Sequence, residues 1–144
     1  MITFMDIHAS CVARDGRGVL LLGPAGAGKS DLALRLLDRG FSLVADDRVR
    51  VVNCIASPPE ALAGLLEVRG LGLLRLPFDA STRLALAVEL TPAMDRLPEP
   101  ARHPDFDLPL IRLDPRAPSA AQRVALALDV VLGRIGQPCG AFAR

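Results

Sequence analysis

The sequence lacks the residue types on which several classes of protein depend. It contains no Trp and no Tyr, which removes most of the aromatic surfaces on which unpaired bases stack. Its formal net charge is only +1, so the overall charge gives no basic surface for a nucleic acid. We therefore expect no nucleic-acid partner.

Cysteines and long apolar runs are scarce as well. The three cysteines, Cys11, Cys54 and Cys139, are far apart and form no CxxC pair, so neither a disulfide framework nor a zinc site is expected. No stretch approaches the roughly 18 apolar residues of a membrane span. Residues 1–6 lack the basic start and apolar stretch of a secretion signal. These features predict a cytoplasmic protein with no membrane partner.

The chain has one lysine, Lys29, and it completes a G-x-x-x-x-G-K-[ST] motif. The glycines allow backbone N–H groups to point at phosphate oxygens, and the helix that follows adds the positive end of its dipole. Lys29 would reach the β- and γ-phosphates, and the Ser30 hydroxyl would bind Mg²⁺. The motif predicts a phosphate-binding P-loop (Walker A) for ATP with magnesium, formed by Gly23, Pro24, Ala25, Gly26, Ala27, Gly28, Lys29 and Ser30.

Hydrophobic patterning predicts many short strands and few helices in one domain, residues 1–144. The predicted strands are residues 2–13, 19–22, 41–45, 49–55, 65–68, 71–76, 84–90 and 108–113. The predicted helices are residues 31–39, a short one at 58–63, and one ending at 132 that begins at a capping box of Ser119 and Gln122. Residues 91–107 are predicted to be a loop. The fold class is therefore α/β, a P-loop domain with a mixed sheet.

Charged residues at predicted strand ends are candidates for chemistry. Asp46 and Asp47 point in opposite directions if the chain is extended, so one can face the phosphates as a general base or metal ligand. The alternative is a solvated turn. Glu67 and Arg69 share one strand face. They could act as a metal ligand and a phosphate clamp, or they could form an exposed salt bridge. His8 lies on the first predicted strand, where a structural role is the alternative.

These motifs together resemble the HPr kinase/phosphorylases of bacteria. Residues 28–49 are similar to that family's P-loop, helix and Ala-Asp-Asp strand end, with the same spacing. Residues 66–72 resemble its LEIRGLG signature, and residues 94–97 resemble its FDRL segment. The resemblance extends from His8 to about Leu113 and implies an HPr kinase/PEP carboxykinase-like fold.

The resemblance also implies an activity, a partner and a set of roles. Family members phosphorylate a serine of the carrier protein HPr with ATP or pyrophosphate, and remove it by phosphorolysis to give pyrophosphate. By position, the resemblance implies Asp46 as the base for phosphorylation and the acid in reverse, with His8 supporting that carboxylate. The other implied roles are phosphate contact by Lys29, magnesium binding by Ser30 and Glu67, and stabilisation of the transferring group by Arg96. A hexamer with HPr docked across subunits is implied as well.

The chain departs from the family pattern in several places. Family members usually carry a second, N-terminal domain, so we expect a truncated form. Pro24-Ala25 replaces a polar pair, and the glycine-rich loop of longer members shrinks to residues 77–82. Residues 114–118 only loosely resemble the basic segment tied to phosphorolysis, so the kinase direction is favoured.

Other classes of nucleotide-binding protein fit the sequence less well. A GTPase is disfavoured because its NKxD motif needs a second lysine. The alternative from another class is a non-catalytic ATP-binding sensor that regulates a partner.

Overall fold

The computed structural model describes residues 4–143. Its helices are α1 (Lys29–Leu37) and α2 (Ala120–Val131), with one short 3-10 helix at Glu60–Leu62. Its strands are β1 (Phe4–Ile7), β2 (Ser10–Arg14), β3 (Arg17–Leu22), β4 (Ser42–Ala45), β5 (Val49–Val52), β6 (Ile55–Ser57), β7 (Leu65–Val68), β8 (Gly72–Arg75), β9 (Thr82–Leu90), β10 (Arg102–His103) and β11 (Leu108–Leu113). Among the described residues, neither α1 nor α2 has the length and apolar character that a membrane crossing requires.

Nine of these strands form one mixed sheet in the order β1-β5-β6-β9-β3-β2-β4, with β11 and β10 added beside β9. Strand β3 is parallel to β9, and β9 is parallel to β11. Strand β2 is antiparallel to both β3 and β4, so β4 runs in the same direction as β3. The carboxyl ends of β4, β3, β9 and β11 therefore meet at one edge of the sheet, which is where ligands bind in α/β proteins.

Apolar side chains cover both faces of the sheet. Along β3, Val19 and Leu21 pack on the face covered by α1 and α2, whereas Leu20 packs on the opposite face. A register shift between β9 and β3 inserts one extra residue in β9. Because side chains alternate along a strand, this bulge places Leu84 and Leu86 on opposite faces. The sheet is thus buried on both sides, as the continuous apolar runs predict.

Two predicted strands are each divided in the structure. Within residues 2–13, of which 2 and 3 lie outside the described part, β1 pairs with β5 while β2 pairs with β3 and β4. Residues 49–55 form β5 and β6, joined by a turn at Asn53 and Cys54. These two residues have φ values of 51° and 62°. Such left-handed pairs fit a two-residue hairpin, but Cys is not a residue that signals one.

The start of α2 differs in its chemistry from the prediction. The helix does begin beside Ser119, but no side-chain bond from that residue caps it. The hydroxyl of Ser119 instead accepts a 2.9 Å hydrogen bond from Nε of Arg123. The predicted capping box is therefore wrong, although the position of the helix is right to within one or two residues.

Candidate functional site

The glycine-rich loop, residues 23–28, joins the end of β3 to the start of α1. Gly26 and Gly28 have φ values of 82° and 101°, in the left-handed region that glycine adopts without steric cost. The Ala27 N–H donates to the Pro24 carbonyl at 3.0 Å and closes the turn. The first N–H groups of an α-helix have no partner within the helix, so the loop directs the amino end of α1 toward this edge of the sheet.

Lys29 is fixed by the loop that precedes it. Its ammonium donates to the carbonyl oxygens of Gly23 and Pro24 at 2.6 and 2.9 Å. Partial burial lowers the pKa of Lys29, while the nearby charges of Asp47 and Asp46 act in the opposite direction. The lysine therefore lies within electrostatic reach of both aspartates.

Asp46 follows β4 and is buried, with 6% of its surface exposed. Its carboxylate accepts hydrogen bonds from the hydroxyl of Ser10 at 2.6 Å and from the hydroxyl of Ser30 at 2.7 Å. This network links β2, β4 and α1. Ser10 was not predicted as a site residue, and its only signal in the sequence is a polar residue just before the apolar run at residues 11–13.

Asp47 occupies a different environment from its neighbour. Its side chain is 76% exposed, and its backbone is left-handed, with φ of 68°, rather than extended. The Ala9 N–H donates to the Asp47 carbonyl at 3.2 Å, which brings Nδ1 of His8 to 4.0 Å from Oδ1 of Asp47. The structure therefore pairs His8 with Asp47, and not with Asp46 as the family resemblance implies.

Glu67 and Arg69 lie on a separate element. Strands β7 and β8 form a two-stranded hairpin that packs against α1 through β7. Both side chains are exposed beside an open cleft of about 530 Å³. Within residues 4–143, neither makes a hydrogen bond or ion pair, so the alternative of a salt bridge between them is not formed.

Arg96 lies in residues 91–107, which are mostly loop, with β10 at Arg102–His103 as the one strand among them. Its side chain is exposed, and no hydrogen bond or ion pair joins it to another described residue. The structure therefore brings Lys29, Ser30, Asp46 and Asp47 together but does not add Arg96. Its role stays a prediction.

The oxygen atoms beside the loop fit a magnesium ion that also binds substrate phosphates. The Ser30 hydroxyl and the Asp46 carboxylate place hard oxygen ligands 2.7 Å apart. Among the described residues, no group of three or more His, Cys, Asp or Glu could hold a metal ion. Mg²⁺ commonly uses one or two protein oxygens and completes its shell with phosphates and water. This donor set suits that mode of binding.

Comparison with known protein families identifies the chain's relatives. The family model described as the HPr Serine kinase C-terminal domain matches residues 1–94. The chain belongs to this family. The matched residues include the glycine-rich loop, both aspartates and the β7–β8 hairpin, whereas Arg96 lies two residues beyond their end. The resemblance that the sequence motifs indicate is confirmed.

Individual relatives agree with the family match. The HPr kinase/phosphorylase of Clostridium tetani is 35% identical over 105 residues, which are 70% of this chain and 34% of the relative. That of Enterococcus faecalis is 42% identical over 74 residues, 48% of this chain and 24% of the relative. The matched chain thus spans about a quarter to a third of the length of these curated relatives.

A solved structure shares the fold at nearly full length. The Hpr(Ser) kinase/phosphatase from Coxiella burnetii superposes with a TM-score of 0.71 at 25% identity. The match covers 90% of this chain and 92% of that one. The predicted α/β fold with a mixed sheet, like that of an HPr kinase, is confirmed.

Proposed function

We propose that this chain is the catalytic domain of an ATP-dependent protein-serine kinase that phosphorylates HPr. The observation that carries the proposal is the convergence of Lys29, Ser30, Asp46 and Asp47 on the glycine-rich loop. In a member of the HPr kinase family, this arrangement supports phosphoryl transfer, which depends mainly on positioning and charge neutralisation.

The glycine-rich loop acts as a phosphate-binding P-loop in this proposal. Its N–H groups and the amino end of α1 bind the phosphates, and Lys29 adds a positive charge. Ser30 and Asp46 would hold Mg²⁺ together with the phosphates. The ion, when bound, neutralises charge on the transferred group.

We assign the general base to Asp47 and a positioning role to Asp46. Two hydroxyl groups occupy the Asp46 carboxylate, which is buried. The Asp47 carboxylate is exposed, so an incoming serine hydroxyl can reach it. His8, at 4.0 Å, can orient that carboxylate. The base deprotonates the serine as its oxygen attacks the γ-phosphorus, the bond from that phosphorus to the β-phosphate oxygen breaks, and ADP leaves. In the reverse direction, inorganic phosphate attacks the phosphoserine and the same group returns the proton to the departing serine oxygen.

The predicted roles of Glu67 and Arg96 belong to the same proposal. Glu67 would supply a further magnesium ligand and Arg96 would stabilise the transferring group, and both side chains are exposed to an incoming substrate. Arg69 clamps a phosphate or carboxylate group. Reversal by inorganic phosphate, which yields pyrophosphate, uses the same geometry. Assembly as a hexamer and a cytoplasmic location stay predictions.

Incubation of the protein with γ-labelled ATP, Mg²⁺ and HPr from the same cell tests the proposal. We expect acid-stable phosphoserine on HPr, and none on a control HPr whose target serine is replaced by alanine. Intact ATP binding with no label on HPr would instead support the non-catalytic sensor. The reverse reaction is tested by incubating the protein with phosphorylated HPr and inorganic phosphate in a buffer free of pyrophosphatase. The pyrophosphate formed is then measured.

A further inference from the structure

A second cleft lies on the opposite side of the glycine-rich loop from Asp46. The sheet order places β4 and β9 on either side of β3 and β2, and the cleft forms at the ends of β9 and β11. Its volume is about 620 Å³, within the range typical of small-molecule sites. The family match ends before one of its walls, residues 114–116.

Hydrogen bonds fix the walls of this cleft to one another. The Thr91 N–H donates to the Leu113 carbonyl at 3.0 Å, which joins the segments after β9 and β11. Arg35 on α1 donates to the Pro115 carbonyl at 2.5 Å. A Cβ atom on Gly28 would lie 3.4 Å from Cγ of Pro115, so residues 114–116 pack directly against the loop. The cleft is therefore a preformed continuation of the phosphate site.

The charges in the cleft wall cancel in pairs. The four charged residues that line it are Asp31, Arg35, Asp114 and Arg116. Arg35 lies 3.2 Å from Asp31. Arg116 donates through Nε and Nη2 to the two oxygens of Asp114, each at 3.1 Å. The rest of the wall is mainly apolar or glycine, so the cleft suits an uncharged group.

We infer that this cleft holds the nucleoside, ribose and base, of the ATP whose phosphates the loop binds. The inference rests on the proposed function, because it assigns the uncharged half of the same ligand. The two bonds to Asp114 fix the plane of the Arg116 guanidinium, which gives the base a flat surface for stacking. None of the described residues that line the cleft is aromatic, so the Arg116 guanidinium is the flat side chain available there for stacking.

Pyrophosphate separates the two halves of the site, because it fills the phosphate loop without a nucleoside. Titration calorimetry with Mg-ATP and with Mg-pyrophosphate is the experiment. We expect Arg116→Ala to weaken ATP about tenfold, as loss of a stacked base does, and to change pyrophosphate less than twofold. The matched control is Arg102→Ala, which removes an exposed arginine that also bonds to an aspartate but lies outside the cleft.

A blocking variant gives an independent measurement. Pro92 is exposed in the cleft wall, so Pro92→Trp should weaken ATP and leave pyrophosphate unchanged, whereas Pro104→Trp, outside the lining, should change neither. Equal loss of both ligands in Arg116→Ala would mean that Arg116 contacts phosphate, and unchanged ATP affinity in both cleft variants would place the nucleoside elsewhere. Either result overturns the inference. If the wild-type protein binds neither ligand, the proposed phosphate loop fails first, and the inference with it.

Discussion

Two regions of this molecule carry the predicted site, and they are organised in opposite ways. The inner region, residues 23–30 with Asp46 and Asp47, is tied together by side-chain and backbone hydrogen bonds. The outer region, the β7–β8 hairpin and residues 91–107, carries Glu67 and Arg96 as exposed side chains without partners among the described residues. The predicted phosphate loop is thus held in place by contacts within the fold, whereas no contact with another described residue holds the side chains of Glu67 and Arg96.

The comparison teaches where specificity for a protein substrate can arise. In the proposed kinase, an inner region that is already assembled would need no rearrangement to bind ATP, which would lower the entropic cost of binding. If Glu67 and Arg96 act only when both proposed substrates are bound, phosphoryl transfer from ATP to water stays slow until HPr binds. Four substitutions test this division, from the largest expected effect to the smallest.

Asp47→Asn should reduce phosphorylation of HPr by about 1,000-fold, because it removes the proposed general base. ATP affinity should not change, since Asp47 is exposed and does not hold Ser30. The measurement is the initial rate of phosphoserine formation beside an ATP titration. Asp107→Asn is the control, because Asp107 is also an exposed aspartate with positive φ. Full activity in Asp47→Asn with none in Asp46→Asn would return the role of base to Asp46.

Lys29→Met should reduce the transfer rate by about 100-fold, which is typical for loss of one group that stabilises developing charge. A pH series adds a second readout. Because the pKa of Lys29 is lowered from 10.5, its charge is lost at a lower pH than that of an ordinary lysine. Affinity for pyrophosphate should therefore fall with rising pH, at a lower pH than loss of charge from an ordinary lysine would give, and the variant should lack this step. An identical pH profile in the variant would exclude Lys29 as its source.

Arg96→Ala should reduce transfer to HPr about tenfold, as expected for one charged hydrogen bond. Stability and ATP affinity should not change, because Arg96 has no partner in the described chain. Rates at saturating ATP and HPr, with thermal unfolding alongside, check both statements. Arg39→Ala serves as the exposed-arginine control. If transfer is unaffected, this part of the outer region has no role in the reaction.

Ser10→Ala should lower the free energy of unfolding by about 1–3 kcal/mol, because it removes a donor from the buried Asp46 carboxylate. Urea unfolding measures the change. Ser42→Ala, an exposed position on β4, should stay within about 0.5 kcal/mol of the wild type. Equal effects at the two serines would show that the bond between Ser10 and Asp46 adds nothing to the inner region.

Local patterns predicted the elements whose cause lies within a short stretch of sequence. The motif at residues 23–30 located α1 to within two residues, and Gly40, with φ of 83°, follows its end as a left-handed residue. The apolar run at residues 19–22 became the buried half of β3. In each case the neighbouring residues are enough to determine the backbone.

Features that depend on residues far apart in the sequence could not be predicted from such local patterns. The break between β1 and β2 depends on the bond from Ala9 to Asp47, 38 positions along the chain. The same bond decides which aspartate faces His8. Ser10 became part of the site only because β2 and β4 are adjacent. Such pairings are set by sheet register, which a motif of eight residues does not encode.

Lysine has three N–H donors on a compact head, and arginine presents a wide planar fork. At position 29, two of those three donors already bond to loop carbonyls. One donor is left for a ligand, so this residue serves as much to shape its own loop as to attract phosphate. A guanidinium spreads its five donors over a wide plane, so an arginine at this position would have to make these contacts with a different geometry.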